Sequence, residues 1–438
     1  MAFRFLHTAD IHLDSPLRGL DGQEGEAAER IRTATRAAFD GLVGRALDER
    51  VDFVVIAGDL YDGDWRDYQT GLFFVGQMGR LAQAGIPVFL LHGNHDAESR
   101  LTRSLALPGN VRVFGNRRAE SFDLPELGIV LHGRSFRQRD ETENFVPDYP
   151  EPVAGVFNLG VLHTGLGGRG GHADYAPCSL TDLVAKGYDY WALGHVHQAE
   201  VLHEHPHVVF SGNLQGRHVR EAGPRGAWLV EVAEGAVTGM QRLETDVVRW
   251  AVLQVDAAGC TRIAELESRI RGAIEDAAGE ADRLLACRIE VTGRTGLHDV
   301  LPGALDRLLA EARAAALALG EGVAWVERLR LATRPQGEAR VPGGREDALG
   351  DLERLLEGAA ADPVLARLFE TELAEMARRL PPEIRRGAED AALRAALEGD
   401  VQALVGAGRA TLAAFLSEGG TDDQAQAPPH GPAPGTGS

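Results

Sequence analysis

Five short stretches of this chain carry side chains that bind cations. They are Asp10 and His12 in ADIH, Asp59 in AGDLYD, Asn94, His95 and Asp96 in HGNHD, His163 in VLHTG, and His195 and His197 in ALGHVH. Carboxylate, amide oxygen and imidazole together, with no thiolate, suit manganese, iron or catalytic zinc in an expanded shell better than structural zinc. A pair of such cations about 3.5–4 Å apart can clamp the attacking and leaving oxygens of a phosphoester. Two cations held that close need a shared anion, and an aspartate can bridge them. Asp10 and His12, like His195 and His197, stand at i and i+2, so an extended backbone would turn both members of each pair to one face. A single histidine is more often structural than a ligand, but five groups in matching positions make coincidence a poor account.

The positions match because each stretch follows an apolar run. The runs are Arg4 to Ala9, Phe53 to Ala57, Val88 to Leu91, Ile129 to Leu131, Val156 to Leu162 and Tyr190 to Leu193. Continuous runs of this kind suit strands buried on both faces of an α/β layered fold, which collects its ligands at the carboxyl ends of the strands. Helices over 26–50 and 71–84 separate the first runs. Val208 to Phe210, Ala227 to Val232 and a turn over Gly235–Gly239 close a first domain at 1–245. His7 and His92 fall inside strand patterns and read as core or supporting residues, while His203, His205 and His207 in HEHPH read as a polar loop.

From residue 246 to 334 the pattern becomes a small α+β unit, with strands near 251–255, 286–291 and 324–329 and helices over 262–274 and 303–317. Its arginines 262, 269, 271, 283, 288 and 294 are expected on a solvated surface. Residues 335–346 read as a linker. Residues 347–418 read as helical, with apolar stripes through Leu352, Leu355 and Leu356, through Leu365, Leu368, Phe369, Leu373 and Met376, and through Leu397, Val401, Leu404 and Val405, which require a partner surface. The small polar tail 419–438 is expected to be disordered.

With 44% apolar and 25% charged residues over 438 positions, the chain has the balance of a self-folding protein of two or three domains. Cys178, Cys260 and Cys287 are far apart, which indicates neither a disulfide framework nor a cysteine zinc site and suits a reducing cytoplasm. The amino terminus runs straight into a strand pattern without a signal-peptide core, and no segment has the length to cross a bilayer. A net charge of −20 argues against a protein that coats nucleic acid, though not against local basic patches.

The blocks DIH, GDLYD, GNHD, the histidine of LHTG, and GHVH, in this order, resemble the signature of the calcineurin-like metallophosphoesterase superfamily. HTADIHLDSPLRGL at the start, and SGNLQGRHVRE after the histidine pair, resemble the SbcD type of DNA repair exonuclease, most closely its YhaO-like branch. The resemblance implies an α/β fold: a layered β-sandwich flanked by helices, with a small α+β capping domain and a helical carboxyl-terminal region. It implies that Asp10, His12 and His197 hold one divalent cation and Asn94, His163 and His195 a second, with Asp59 bridging and manganese the expected metal. His95 would sit by the scissile phosphate, stabilising charge or protonating the leaving oxygen. Asp96 would orient His95 or serve the turn by hydrogen bonding; both roles stay open.

The resemblance further implies a DNA exonuclease or endonuclease of double-strand-break processing. The capping domain would guide DNA, the carboxyl-terminal helices would dock on an SbcC-like coiled-coil ATPase, and the phosphoesterase domain could form a homodimer. Asp62 replaces the histidine that archaeal and eukaryotic relatives carry there, which leaves the exonuclease and endonuclease balance open. Two other functions compete. A phosphatase or small-molecule phosphodiesterase would use the same five blocks, and a catalytically silent DNA-repair adaptor would keep them as vestiges.

Overall fold

The computed structural model describes residues 1–15, 26–62, 68–98, 106–167, 175–336, 362–379 and 391–400, and singly Leu355, Gly358, Ala403 and Leu404. Two compact units emerge: Met1–Val252 with Asp276–Arg288 and Ala316–Glu327, and Leu253–Glu275 with Ile289–Ala315 and Arg328–Ser438.

The first unit is built on two six-stranded sheets. One contains β1 (Ala2–Thr8), β2 (Phe53–Ala57), β3 (Val88–Leu91), β4 (Val111–Val113), β11 (Gly226–Ala233) and β12 (Ala236–Glu244) in the order β12-β11-β1-β2-β3-β4. The other contains β5 (Glu120–Leu124), β6 (Ile129–Gly133), β7 (Phe157–His163), β8 (Tyr190–Gly194), β9 (Glu200–Glu204) and β10 (His207–Phe210) in the order β5-β6-β7-β8-β10-β9. The central strands of each sheet run parallel; antiparallel strands finish both edges of the second sheet and the β12 edge of the first, whose other edge, β4, is parallel to β3. Parallel central strands put the carboxyl ends that carry the cation-binding stretches on one side of each sheet.

The unbroken apolar runs divide between two cores by strict alternation. Phe3, Phe5, Phe53, Val55, Phe89 and Leu91 meet Leu159, Val161, Tyr190, Ala192 and Val209 between the sheets. The intervening Leu6, Val54, Ile56, Val88 and Leu90 face the other way, onto Phe39, Leu42 and Val43 of α1 (Glu26–Asp48) and Phe74, Met78 and Leu81 of α2 (Tyr68–Gln83). Leu162, Trp191, Leu193, Val208 and Phe210 cover the outer side of the second sheet with Phe136, Phe145, Tyr149 and Leu183. The last of these lies on α4 (Leu180–Ala185), which follows α3 (Asn94–Glu98) in the chain and opens with a capping box between Ser179 and Asp182. This is the expected layered α/β fold.

Strands β13 (Val248–Asp256), β14 (Leu284–Thr292) and β16 (Ala324–Leu331) form a third sheet, and β15 (Arg294–Thr295) pairs with β17 (Arg334–Pro335). Helices α5 (Ile263–Ala281) and α6 (Leu305–Ala318) complete this segment; α7 (Pro363–Arg379) and α8 (Ala391–Glu398) follow.

Several expectations need correction. The turn between β11 and β12 is confined to Glu234 and Gly235, both at positive φ, and Ala236–Gly239 is already strand. HEHPH is a hairpin: His203 lies in β9, His207 starts β10, and His205-Pro206 forms a cis peptide at the tip. Helix α5 runs seven residues beyond Ile274, to Ala281. Arg288 is buried rather than solvated, because Glu327 accepts two bonds from it at 2.8 and 2.7 Å, and Arg283 bonds Asp246 at 2.9 Å. Pro335, placed in the linker, belongs to β17. Most of that linker, Leu352, Leu356, Val401, Val405 and the 419–438 tail lie outside the described residues, and Leu365 is described only in its backbone.

Candidate metal centre

Beyond β1 the chain leaves extended geometry. Asp10, His12 and Asp14 have φ of 51°, 47° and 57°; Asp59 has 51° and His195 has 97°. These are left-handed conformations costing about 1–3 kcal/mol each in residues other than glycine. The i, i+2 expectation is therefore corrected: sharp turns, not an extended strand, aim these side chains. The turns are tied across the sheet, with Asp10 N donating to Gly58 O at 3.0 Å, His12 N to Asp59 O at 3.1 Å and Leu13 N to Leu60 O at 2.9 Å. Gly194 makes the close approach feasible, since a Cβ there would strike the Ala57 carbonyl oxygen and lie 2.9 Å from His163 Nδ1.

Among the described residues three donor groups result: one joins His12 to Asp62 and His95, and the other two carry the expected ligands. Asp10, His12 and His197 converge, as do Asp59, His163 and His195, with ligand atoms in each group within 4.8 Å of one another. Asn94 Oδ1 joins the second group, 3.0 Å from His163 Nε2 and 3.1 Å from His195 Nδ1. Asp59 Oδ2 lies 3.4 Å from His163 Nε2 and 3.9 Å from His12 Nε2, between the groups. The two histidines of GHVH are thus divided between the groups, although backbone N–H of His195 also donates to both Asp10 oxygens at 3.0 Å.

Supporting bonds set the ring orientations. His163 Nδ1 faces Ala57 O at 2.9 Å, which leaves Nε2 for the centre. His197 Nδ1 faces Glu221 Oε1 at 2.6 Å, which directs its Nε2 to within 3.2 Å of His12 Nε2. Burial lowers His12 to about 4 and holds His197 well below the usual imidazole range, so both are neutral and offer lone pairs. Burial pushes Asp10 up to about 7. Burial also works against ionised Asp59, but the His163 charge and hydrogen bond outweigh it and hold this carboxyl well below its usual range. His163 shows the counterpart: burial lowers it, and Asp59 more than compensates, to about 9. Two imidazole nitrogens facing each other, and buried carboxylates beside them, are relieved together by divalent cations; the donor set fits them.

His95, on the short helix α3, is more accessible than the donors. Its Nδ1 lies 2.9 Å from Asp62 Oδ1, and its N–H donates to Asp59 Oδ1 at 3.0 Å. Of the two roles left open for Asp96, its bonds match the one in the turn. Asp96 accepts from Leu60 N, Tyr61 N and Gly93 N at 3.1, 2.9 and 3.1 Å, joining two loops. Asp62 is the carboxylate on His95, and Ser15 Oγ donates to its other oxygen at 2.8 Å.

Glu221, Arg217, Ser15 and the His95-directed role of Asp62 were not anticipated. The SGNLQGRHVRE stretch was visible, but nothing in it told that Glu221 returns to His197. His7 is a satisfied core residue, 3.1 Å from the Tyr190 hydroxyl and 3.2 Å from Leu193 O. His92, expected within a strand, lies just past the end of β3 and is half-buried, with its backbone N–H donating to Ser135 Oγ at 3.0 Å.

A sandwich with oxygen and imidazole donors at its strand ends defines the class: a metallophosphoesterase. Residues 3–199 match the calcineurin-like phosphoesterase family, and residues 250–334 match the middle domain of the metallophosphoesterase YhaO. The uncharacterized metallophosphoesterase YhaO of Bacillus subtilis is 32% identical over 376 residues, 83% of this chain and 91% of that protein. The chain belongs to the YhaO family of calcineurin-like metallophosphoesterases. More distant similarity reaches the DNA double-strand break repair protein Mre11 of Haloferax volcanii, 28% identical over 279 residues, covering 61% of this chain and 58% of that protein. Mre11 of Methanopyrus kandleri is 26% identical over 302 residues, with 61% and 62% covered.

Proposed function

We propose that this metallophosphoesterase is a DNA nuclease, cutting phosphodiesters as an exonuclease or endonuclease in double-strand-break repair. The observation that carries this is the pairing of two donor groups about Asp59 with an accessible His95 held by Asp62. Similarity to proteins named for double-strand break repair supports DNA as substrate. Asp10, His12 and His197 would hold one cation, Asn94, His163 and His195 the other, and Asp59 would bridge, with manganese the expected metal. Bound there, the two cations would supply Lewis-acid stabilisation of charge on the phosphoryl oxygens and activation of the attacking water. His95 would hold a proton at Nε2 for the leaving oxygen while Asp62 fixes the ring through Nδ1. Residues 1–245 would be the nuclease domain and 246–334 the capping domain that guides DNA.

The partner would be an SbcC-like coiled-coil ATPase in the cytoplasm, with a homodimer formed through the nuclease domain. On α7, Val364, Leu368, Phe369 and Met376 are exposed, an apolar surface suited to such docking. Among the described residues no helix is long and apolar enough to cross a membrane.

The test is cleavage of end-labelled linear duplex DNA by the purified chain with manganese, with chelator, and with His95→Ala. Cleavage that requires manganese and collapses in the variant, with metal still bound, supports the proposal. Intact DNA beside hydrolysis of an aryl phosphodiester, with and without the ATPase, would favour the small-molecule phosphodiesterase instead.

A further inference from the structure

Arg217 occupies the edge of the metal centre, and its side-chain contacts with the described residues are all long. Its Nη1 lies 3.2 Å from Ser15 Oγ and 3.8 Å from Asp62 Oδ2. Its Nη2 lies 3.5 Å from Glu221 Oε1 and 3.4 Å from His197 Nδ1, and Nε has no hydrogen-bond partner among the described residues. Arginines that brace this protein look different. Arg249 meets Asp246 at 2.6 and 3.0 Å and Arg288 meets Glu327 at 2.8 and 2.7 Å, the short fork of a structural pair.

Both neighbouring carboxylates are satisfied without the guanidinium. Glu221 accepts from His197 Nδ1 at 2.6 Å, Asn213 Nδ2 at 2.9 Å and the backbone N–H of Arg217 at 2.7 Å. Asp62 takes His95 Nδ1 at 2.9 Å and Ser15 Oγ at 2.8 Å. With its Nδ1–H given to Glu221, His197 has no lone pair there for Arg217. Side-chain exposure separates the same residues: 30% for His95, 21% for Asp62 and 16% for Arg217, against 1% for His12, 2% for Asp59 and none for His163. These three form the edge that an arriving substrate meets.

We propose that Arg217, which shares the Asp62 carboxylate with His95, grips non-bridging oxygens of the substrate phosphoryl group. A guanidinium fork matches two phosphate oxygens. Arg217 makes and breaks no bond; it steadies the charge that grows on the phosphoryl oxygens. The assignment rests on the site being a dimetal phosphoesterase centre, not on DNA as the substrate.

The test uses the full chain loaded with manganese and inorganic phosphate as probe, comparing wild type, Arg217→Met and Arg217→Lys. Manganese affinity is followed by electron paramagnetic resonance, and phosphate binding by the shift in thermal midpoint with phosphate concentration. The expected result is unchanged manganese affinity with phosphate binding weakened about tenfold or more in the methionine variant, the scale of one charge-assisted hydrogen bond. Lysine, which keeps the charge and loses the fork, should fall between. Wild-type phosphate affinity in the methionine variant overturns the proposal. So does a fall in manganese affinity large enough to account for the phosphate loss, which would make Arg217 a brace for Glu221. If the methionine variant fails to fold, the lysine variant is judged by the same two measurements. Wild-type protein that binds phosphate through Arg217 but spares DNA would overturn the nuclease proposal and leave this one standing.

Discussion

Removing the Asp62 carboxylate should damage hydrolysis in proportion to how badly the leaving group needs a proton. Asp62 Oδ1 sits 2.9 Å from His95 Nδ1 and is the carboxylate bonded to that ring, since Asp96 is spent on three backbone N–H groups. A hydrogen bond to a charged partner contributes about 1.5–3 kcal/mol, which converts to roughly 10- to 150-fold in rate if it is felt only in the transition state. Asp62→Ala is therefore expected to slow cleavage of DNA, whose alkoxide leaving group must be protonated, by about 10- to 100-fold. The same variant should slow bis-p-nitrophenyl phosphate by less than about threefold, because nitrophenolate departs unprotonated. Asp62→Asn, which keeps an acceptor but not the charge, should lie between. Oδ1 also lies 3.5 Å from His12 Nδ1, so rates are compared at saturating manganese to remove any loss of metal affinity. Equal losses on the two esters would refute the orienting role, and with it the assignment of His95 as the proton donor.

Three further outcomes are expected. His7 is buried and neutral, lowered by burial from 6.5 to about 3, so between those values the unfolded chain binds a proton that the folded one refuses. Stability should be complete above pH 6.5 and fall by on the order of 4 kcal/mol as pH drops to 3; urea midpoints should decline less steeply over that window for His7→Phe, and identical slopes would sink the idea. Gly194→Ala drives a Cβ into the Ala57 carbonyl oxygen and against His163, so the thermal midpoint should drop by several degrees, matching a loss of about 1–3 kcal/mol, and manganese binding should weaken. A variant with unaltered manganese binding would show that the strand ends can part without cost. Leu368→Glu with Phe369→Glu, on exposed positions of α7, should preserve manganese-dependent hydrolysis and abolish capture of a coiled-coil ATPase; retained capture would move the docking surface elsewhere.

The sandwich was legible because its strands are buried on both faces. Unbroken runs such as Phe53 to Ala57 leave only one question, which residue faces which layer, and alternation settles it: Phe53 and Val55 to the sandwich, Val54 and Ile56 to the helices. Short-range chemistry at the surface was harder. The histidines of HEHPH suggested a loop by polarity, yet a hairpin edge exposes alternate side chains, so β9 and β10 accept His203 and His207 without burying charge. Arg288 misled for the opposite reason. A buried arginine is tolerated only with a matched partner, and Glu327 stands 39 residues away in the chain, where no local pattern could announce it.

The centre itself shows where local inference gives way. The donors were identifiable by type, yet the geometry that gathers them, left-handed backbone at Asp10, His12, Asp59 and His195, runs against the preference of each residue. At about 1–3 kcal/mol apiece these conformations persist only where the surroundings overdetermine them. The surroundings here are the interleaved aromatic layer of Phe3, Phe5, Phe53 and Phe89, each buried ring worth about 1.5–3 kcal/mol, on strands whose hydrogen bonds continue into the turns. The core thus holds the donors in a shape they would not adopt alone. The same logic separates the two roles of aspartate in this site. Asp96 spends its charge knitting the strained loops together, which frees Asp62, at the accessible edge, to act on His95.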